Sequence, residues 1–350
     1  LATVDATYTA DVAGRSESEQ RFSWVRWQTL SVLTAGSRLT TPTERTEYVI
    51  GDHRIDWQQT MTTMSGFRGR AGLTLDSYRT YTGGEQTSAT WNADPGHPSV
   101  QHDFGANPGD YLLCPACRRG NTFHLAVYPF GDNQPGHVSP ADQVRPGQPI
   151  QEETHFAVYK GDQLIGEGPD GFGSIPVPPG SARYRLVYDT SRTAPWWTLS
   201  TTQHTAWGFD SSAADGTGTL PPGWYCDSDL HADCATVPLL FADYHPPTDN
   251  LGQISPGRVT MPFAVRHLQH SSTSPISTTL EVSFDGGATW QQAAVQRLGG
   301  GRFRAQFTVP PADQTDGFGA VRLSATDADG STLHQTVLRS FAVSAGQDAA

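Results

Sequence analysis

The sequence predicts an all-β fold of tandem β-sandwich domains, the last immunoglobulin-like, and three observations predict it. Gly (36) and Pro (25) are abundant and long Ala/Leu/Glu/Lys stretches at helical spacing are missing, which favours short strands joined by turns. Leu280, Val282 and Phe284 alternate with Thr279, Glu281 and Ser283, the period-2 signature of a half-buried strand. From about Ser255 onward, strand-like runs recur at near-regular spacing, as they do in immunoglobulin-like sandwiches.

Those runs are Val259–His267, Thr278–Phe284, Thr289–Val295, Phe303–Val309, Ala320–Thr326 and Leu333–Val343, and they define a C-terminal domain over 247–345 with a tail at 346–350. The hairpin joining the second and third runs reads Ser283-Phe284-Asp285-Gly286-Gly287-Ala288-Thr289-Trp290 and fits the Asp-box pattern S-x-D-x-G-x-T-W at every position. There Asp285 is expected to bond back to turn amides, Gly287 to supply backbone freedom, and Trp290 to pack under the hairpin. Ser283 and Thr289 complete the pattern. The motif occurs in sialidases, but alone it is a structural turn and implies no sialidase chemistry.

A middle domain is expected over 147–246. Phe156–Tyr159, the Lys160-Gly161-Asp162 turn and Leu164–Ile165 read as a hairpin. Arg183–Tyr188, Trp197–Phe209 and Ala235–Tyr244 read as further strands, and Asp210–Pro222 as a surface loop. The N-terminal domain, 1–146, is expected to be β-rich, with runs at Thr3–Val12, Phe22–Leu33, Arg45–Ile50, Ile55–Met61 and Phe123–Pro129. Residues 80–110 look loop-rich, a length unusual in a compact domain. Val144-Arg145-Pro146-Gly147 and His245-Pro246-Pro247 are the natural linkers.

Composition excludes several functions. With 35 acidic against 23 basic residues the net charge is −12, and no basic stripe offsets it, so neither nucleic acid nor an anionic membrane surface is an expected partner. No run of 18 apolar residues occurs, and the chain opens on Leu1 without a charged or apolar leader, so a secreted, extracellular mature piece of a longer precursor is expected. At 36% hydrophobic and 10% aromatic, the chain has enough apolar side chains to build cores.

The four cysteines form two close pairs, Cys114 with Cys117 and Cys226 with Cys234. Local disulfides are the simplest reading and fit an oxidising compartment. Zinc is the first rival, although the 226–234 spacing is loose for it. A redox CxxC is the second, although the flanks of Cys114 look strand-like rather than helical. Between Cys226 and Cys234 lie Asp227, Asp229 and Asp233, which are weak calcium candidates or simply a solvated acidic loop. No other cofactor is expected.

Catalytic motifs are scarce. G-x-S-x-G, H-E-x-x-H and the P-loop are absent. The single G-x-G-x-x-G, Gly166–Gly171, contains Pro169 and leads into Ile175-Pro176-Val177-Pro178-Pro179, so it reads as a loop rather than the start of a helix. Twelve histidines are scattered, with His267 and His270 three apart at a strand end. Trp196 and Trp197 follow Pro195; if one is exposed, it could stack on a sugar or anchor a protein partner.

Several segments together resemble a known family. Val321–Arg339, VRLSATDADGSTLHQTVLR, is similar to the terminal strand pair of secreted, actinobacterial-type subtilisin-like (S8 family) serine peptidases, which end in a run like ATDADGN…QTVIR. Leu280–Trp290 resembles their VEVSFDGGATW segment. Arg45–Val49, Cys114–Arg118, Tyr159–Glu167 and Trp196–Trp207 also resemble the non-catalytic part of those precursors. The family's catalytic Asp, His and the Ser of its G-T-S-M-A-type motif have no counterparts here. The resemblance therefore implies a region without catalytic residues of its own, accessory to a peptidase domain of the same precursor, stabilising it or docking macromolecular substrate. The alternative is a free-standing extracellular β-sandwich that binds a protein or polysaccharide.

Overall fold

The computed structural model describes residues 1–25, 32–33, 36–63, 74–101, 112–140, 150–213, 220, 224–226, 233–269 and 271–345. The fold is all-β. The first eight strands are β1 (Ala2–Tyr8), β2 (Arg15–Val25), β3 (Val32–Leu33), β4 (Ser37–Thr41), β5 (Thr43–Val49), β6 (Ile55–Thr63), β7 (Thr74–Thr80) and β8 (Gln86–Trp91). Next come β9 (His97–Ser99), β10 (Leu112–Leu113), β11 (Ala116–Arg119), β12 (Thr122–Ala126), β13 (Tyr128–Gly131), β14 (Gln151–Lys160), β15 (Gln163–Gly168), β16 (Phe172–Pro176), β17 (Ala182–Thr193) and β18 (Thr202–Ser211). The rest are β19 (Trp224–Tyr225), β20 (Ala235–Thr236), β21 (Leu240–Tyr244), β22 (Gln253–Ile254), β23 (Gly257–His267), β24 (Ile276–Ser283), β25 (Gln291–Gln292), β26 (Ala294–Gly299), β27 (Arg302–Val309), β28 (Phe318–Asp327) and β29 (Thr332–Val343). Among the described residues the only helical element is a 3-10 turn, Ala312–Gln314.

β1 to β8 make a sandwich of their own. One sheet runs β5-β1-β8; the other runs β3-β2-β6-β7, with β4 also on β2. Ala2, Val4, Ala6 and Tyr8 point inward from β1 and meet Val49, Met61, Leu75, Tyr81 and Trp91. This core is small, and buried charged side chains, among them Glu19 and Glu47, share the interior with it.

The rest is built around one nine-stranded sheet, β15-β14-β17-β18-β29-β28-β24-β25, with β22 added in parallel to β29. Its inner face follows the period-2 pattern: Tyr184, Leu186 and Tyr188 on β17, Trp207 and Phe209 on β18, Leu333 and Val337 on β29, Leu280 and Val282 on β24. Two four-stranded sheets cover that face. The sheet β16-β12-β11-β20 packs on one half, where the Phe123 ring lies 4.9 Å from Tyr184 and 5.8 Å from Phe209. The sheet β21-β23-β27-β26 covers the other half, where Phe307 stacks on Phe341 at 6.3 Å.

The strand partnerships cross both expected domain boundaries. β18, in the expected middle domain 147–246, pairs with β29, in the expected domain 247–345, over the register Thr202↔Leu338 to Gly208↔Thr332. One apolar core runs from Val100 to Val343. β11 and β12, assigned from sequence to the domain 1–146, pair with β20 and β16 instead. The correction has a physical basis: alternation tells which face of a strand is buried, not which strand lies beside it. The tail 346–350 lies outside the described residues. Trp197–Thr201, expected in a strand, precedes β18, and Ala194 and Trp197 exchange backbone hydrogen bonds across a tight turn.

At the β18–β29 seam the inner face turns polar. The Gln335 amide donates to Thr205 Oγ1 at 3.1 Å, and Tyr244 Oη donates to Gln335 Oε1 at 2.8 Å. Arg118, fully buried, donates to the carbonyls of Gly120, Pro178 and Ser211 at 2.9–3.0 Å and ties three loops together.

Candidate functional site

The most chemically loaded place in the molecule is one that the motif search did not single out. Along the first part of β2 the inward positions are Arg15, Glu17, Glu19 and Arg21, so four successive positions on one face of a strand inside a sandwich are charged. β5 contributes Arg45 and Glu47, and β6 contributes Trp57 and Gln59. Room for them comes from β1, where Ala6 stands opposite Arg45 and Val4 opposite Glu47.

These groups bond to one another across both sheets. Glu19 accepts from Arg21 Nε at 3.0 Å, Arg45 Nη2 at 2.7 Å, Gln59 Nε2 at 3.1 Å and Ser37 Oγ at 2.9 Å. Glu47 accepts from Arg45 Nε at 2.6 Å, from Arg21 Nη2 and from the Tyr8 hydroxyl. Arg21 also donates to Gln59 Oε1 at 3.0 Å. Burial, then the Glu47 carboxylate, pushes the Tyr8 phenol well above its ordinary range, so it stays a donor. A cleft of about 400 Å³ opens on this network, lined by Glu19, Arg21, Arg45, Glu47, Tyr48 and Trp57 together with Val49 and Ile50. The Trp57 indole N–H is pinned to the Ile50 carbonyl at 3.0 Å, while Tyr48 is 67% exposed at the rim.

A second polar cluster joins this sandwich to the rest of the chain. The Asp11 carboxylate accepts the backbone N–H groups of Thr198 and Leu199 at 2.6 and 2.9 Å. Asp94 accepts from Ser200 Oγ at 2.6 Å, and Ser200 Oγ in turn accepts the Gly96 N–H at 2.8 Å. Burial, then the neighbouring Asp11 charge, raises the Asp94 carboxyl well above the usual range; burial raises Asp11 too. Asn92 and Ser200 both hold left-handed backbone here, φ 60 and 48, which non-glycine residues adopt only when their surroundings fix them. A cavity of about 250 Å³ lies alongside, lined in part by Thr7, Asp94, Asn133, His245 and Asp249.

The residues expected from sequence fall as follows. Cys114 is bonded to Cys117 and Cys226 to Cys234, and all four are buried. Asp233 is exposed beside Cys234, while Asp227 and Asp229 lie outside the described residues. In the 283–290 turn, Ser283 Oγ donates to Asp285 at 2.7 Å, and the Thr289 N–H and hydroxyl donate to the same carboxylate at 2.9 and 2.5 Å. Gly287 takes φ +88, and Trp290 donates its indole N–H to the Gly287 carbonyl at 2.9 Å. Trp290 is half-buried, with the Arg322 guanidinium 4.4 Å from its ring. Trp196 and Trp197 are both half-buried, and their indole N–H groups are enclosed with no acceptor among the described residues. The Arg192 guanidinium, held by Glu152 at 2.8 Å, lies 5.4 Å from the Trp197 ring. This pair thus belongs to the junction beside Asp11.

Pairs suggestive of acid–base chemistry have local partners. Ser174 faces His124 Nδ1 at 3.0 Å and Ser324 faces His334 Nδ1 at 3.0 Å; each is a directly opposed cross-strand pair. His267 bonds to Asp327 at 3.0 Å, and the other Asp327 oxygen accepts the Asp329 and Ser331 amides. Among the described residues no group of three or more His, Cys, Asp or Glu is placed to hold a metal ion, and no helix is long and apolar enough to cross a membrane.

No protein-family model matches the chain. No curated protein sequence matches it either. Among solved structures, the fibronectin(III)-like modules of Clostridium thermocellum CbhA are similar at TM-score 0.20 and 10% identity, covering 69% of this chain and 94% of that one. E. coli alpha-2-macroglobulin gives 0.21 and 12% over 95% of this chain and 31% of its own. The three N-terminal domains of the bacteriophage RB49 outer capsid protein Hoc give 0.18 and 8% over 97% and 98%. At TM-scores this low the likeness has no bearing on this chain's function.

Proposed function

We propose that this chain is a non-catalytic accessory region of a secreted subtilisin-like serine peptidase, stabilising the peptidase domain or docking its macromolecular substrate. The supporting observation is that two of the segments resembling those precursors, Leu280–Trp290 and Val321–Arg339, lie together. Leu280–Ser283 on β24 and Val321–Asp327 on β28 are adjacent strands, and Thr332–Arg339 on β29 pairs with both β28 and β18. They make up one half of the nine-stranded sheet. Two local disulfides suit an oxidising, extracellular setting.

Peptide mapping of the native secreted polypeptide tests this. Peptides from a domain bearing the Asp, His and Ser of a subtilisin-type triad are expected in the same chain. A native polypeptide that contains this region and no such domain contradicts the reading.

A further inference from the structure

We propose that the charged cleft of the N-terminal sandwich is a binding site for a neutral saccharide. Stability alone does not account for its charges. Replacing buried ion pairs by packed apolar side chains is often neutral or stabilising, and the small core of β1 to β8 has few apolar residues to spare. Arg21, Glu19 and Glu47 are nonetheless enclosed there, with side chains 7–15% exposed.

The chemistry of the lining selects the ligand class. Two guanidinium groups, Arg21 and Arg45, face two carboxylates, Glu19 and Glu47, so the network is charge-balanced. An added anion or cation would meet a like charge in a poorly solvated place. A hydroxyl both donates and accepts, and so matches a surface that offers both. The mutual bonds hold these groups in position before a ligand arrives, which lowers the ordering cost of binding. Trp57 supplies an apolar ring surface with its N–H already satisfied, on which a pyranose ring can stack, and the exposed Tyr48 borders the cleft at its rim. The volume, about 400 Å³, is that of a small-molecule site. The inference stands on the cleft alone and is independent of whether a peptidase domain shares the precursor.

Calorimetric titration of the full chain tests it. The probes are neutral hexasaccharides (β-1,4-glucan, β-1,3-glucan, β-1,4-xylan and β-1,4-mannan), with oligogalacturonate and chitosan oligomers as charged counterparts. At least one neutral probe is expected to bind. Trp57→Ala should weaken it about tenfold or more, Trp57→Phe should retain most of the affinity, and the exposed Tyr48→Ala should weaken it several-fold with an unchanged melting temperature. If Trp57→Ala does not fold, Tyr48→Ala decides. Binding of the charged probes only, of no probe, or of a neutral probe indifferent to these substitutions overturns the proposal.

Discussion

Two carboxylates show how the same side chain is put to opposite uses. Asp285 is exposed, and the Thr289 hydroxyl, then the Thr289 amide and the Ser283 hydroxyl, hold its carboxyl down at about 2. Its contribution to the 283–290 turn is therefore complete above about pH 4 and is lost as the pH falls toward 2. The Thr289 amide resonance should follow that acid transition, and Asp285→Ala should abolish it while the sheet stays folded. Asp94 behaves in the reverse sense. Burial beside Asp11 raises its carboxyl, so the folded state holds the proton more tightly than the unfolded chain. Its effect on stability is most favourable in acid and declines as the pH rises from about 4 toward the raised value. Asp94→Asn keeps an acceptor for Ser200 and removes the charge. The variant should gain melting temperature relative to the parent as the pH rises from 4 to 8; identical pH profiles would refute the assignment.

At the scale of elements, β2 carries the lesson about legibility. Its run Arg15-Ser16-Glu17-Ser18-Glu19-Gln20-Arg21 has perfect period 2, but the alternating residues are charged. Sequence reasoning places charge on the solvent side, and here partners on β5 and β6 turn that side inward. The signal was present, and its sign was legible only with the partner strands in view. By contrast, β24, β28 and β29 could be placed to within about two residues because most of their inward positions are apolar. The 283–290 turn was legible because its bonds span four residues. Removing Glu47 leaves Arg21 and Arg45 to share the single carboxylate of Glu19, an uncompensated positive charge in a partly buried place, so Glu47→Ala is expected to destabilise the N-terminal sandwich by about 3–5 kcal/mol in urea denaturation. At the β18–β29 seam, Gln335→Ala should cost about 1–3 kcal/mol by leaving Tyr244 Oη and Thr205 without partners.

For the whole molecule, the shared sheet changes how three expected domains behave. Most residues of β11 to β29 draw on a single core, whereas β1 to β8 have their own and meet the rest through contacts that include those of Asp11 and Asp94, the Asp76–Val138 bridge and the Trp91–His137 stack. Pairing across distant segments, such as β12 with β16 and β18 with β29, was not legible because neither loop length nor alternation specifies it. The proposed role is to stabilise a neighbouring domain or dock its substrate, and a net charge of −12 would disfavour nucleic acid as a partner. The central claim is that this role serves a peptidase. Its most direct test is to produce the subtilisin-type domain with and without this chain, then measure melting temperature and turnover of a protein and of a short peptide. Loss of the chain should lower the melting temperature or selectively slow cleavage of the protein substrate. If both are unchanged, the account is contradicted.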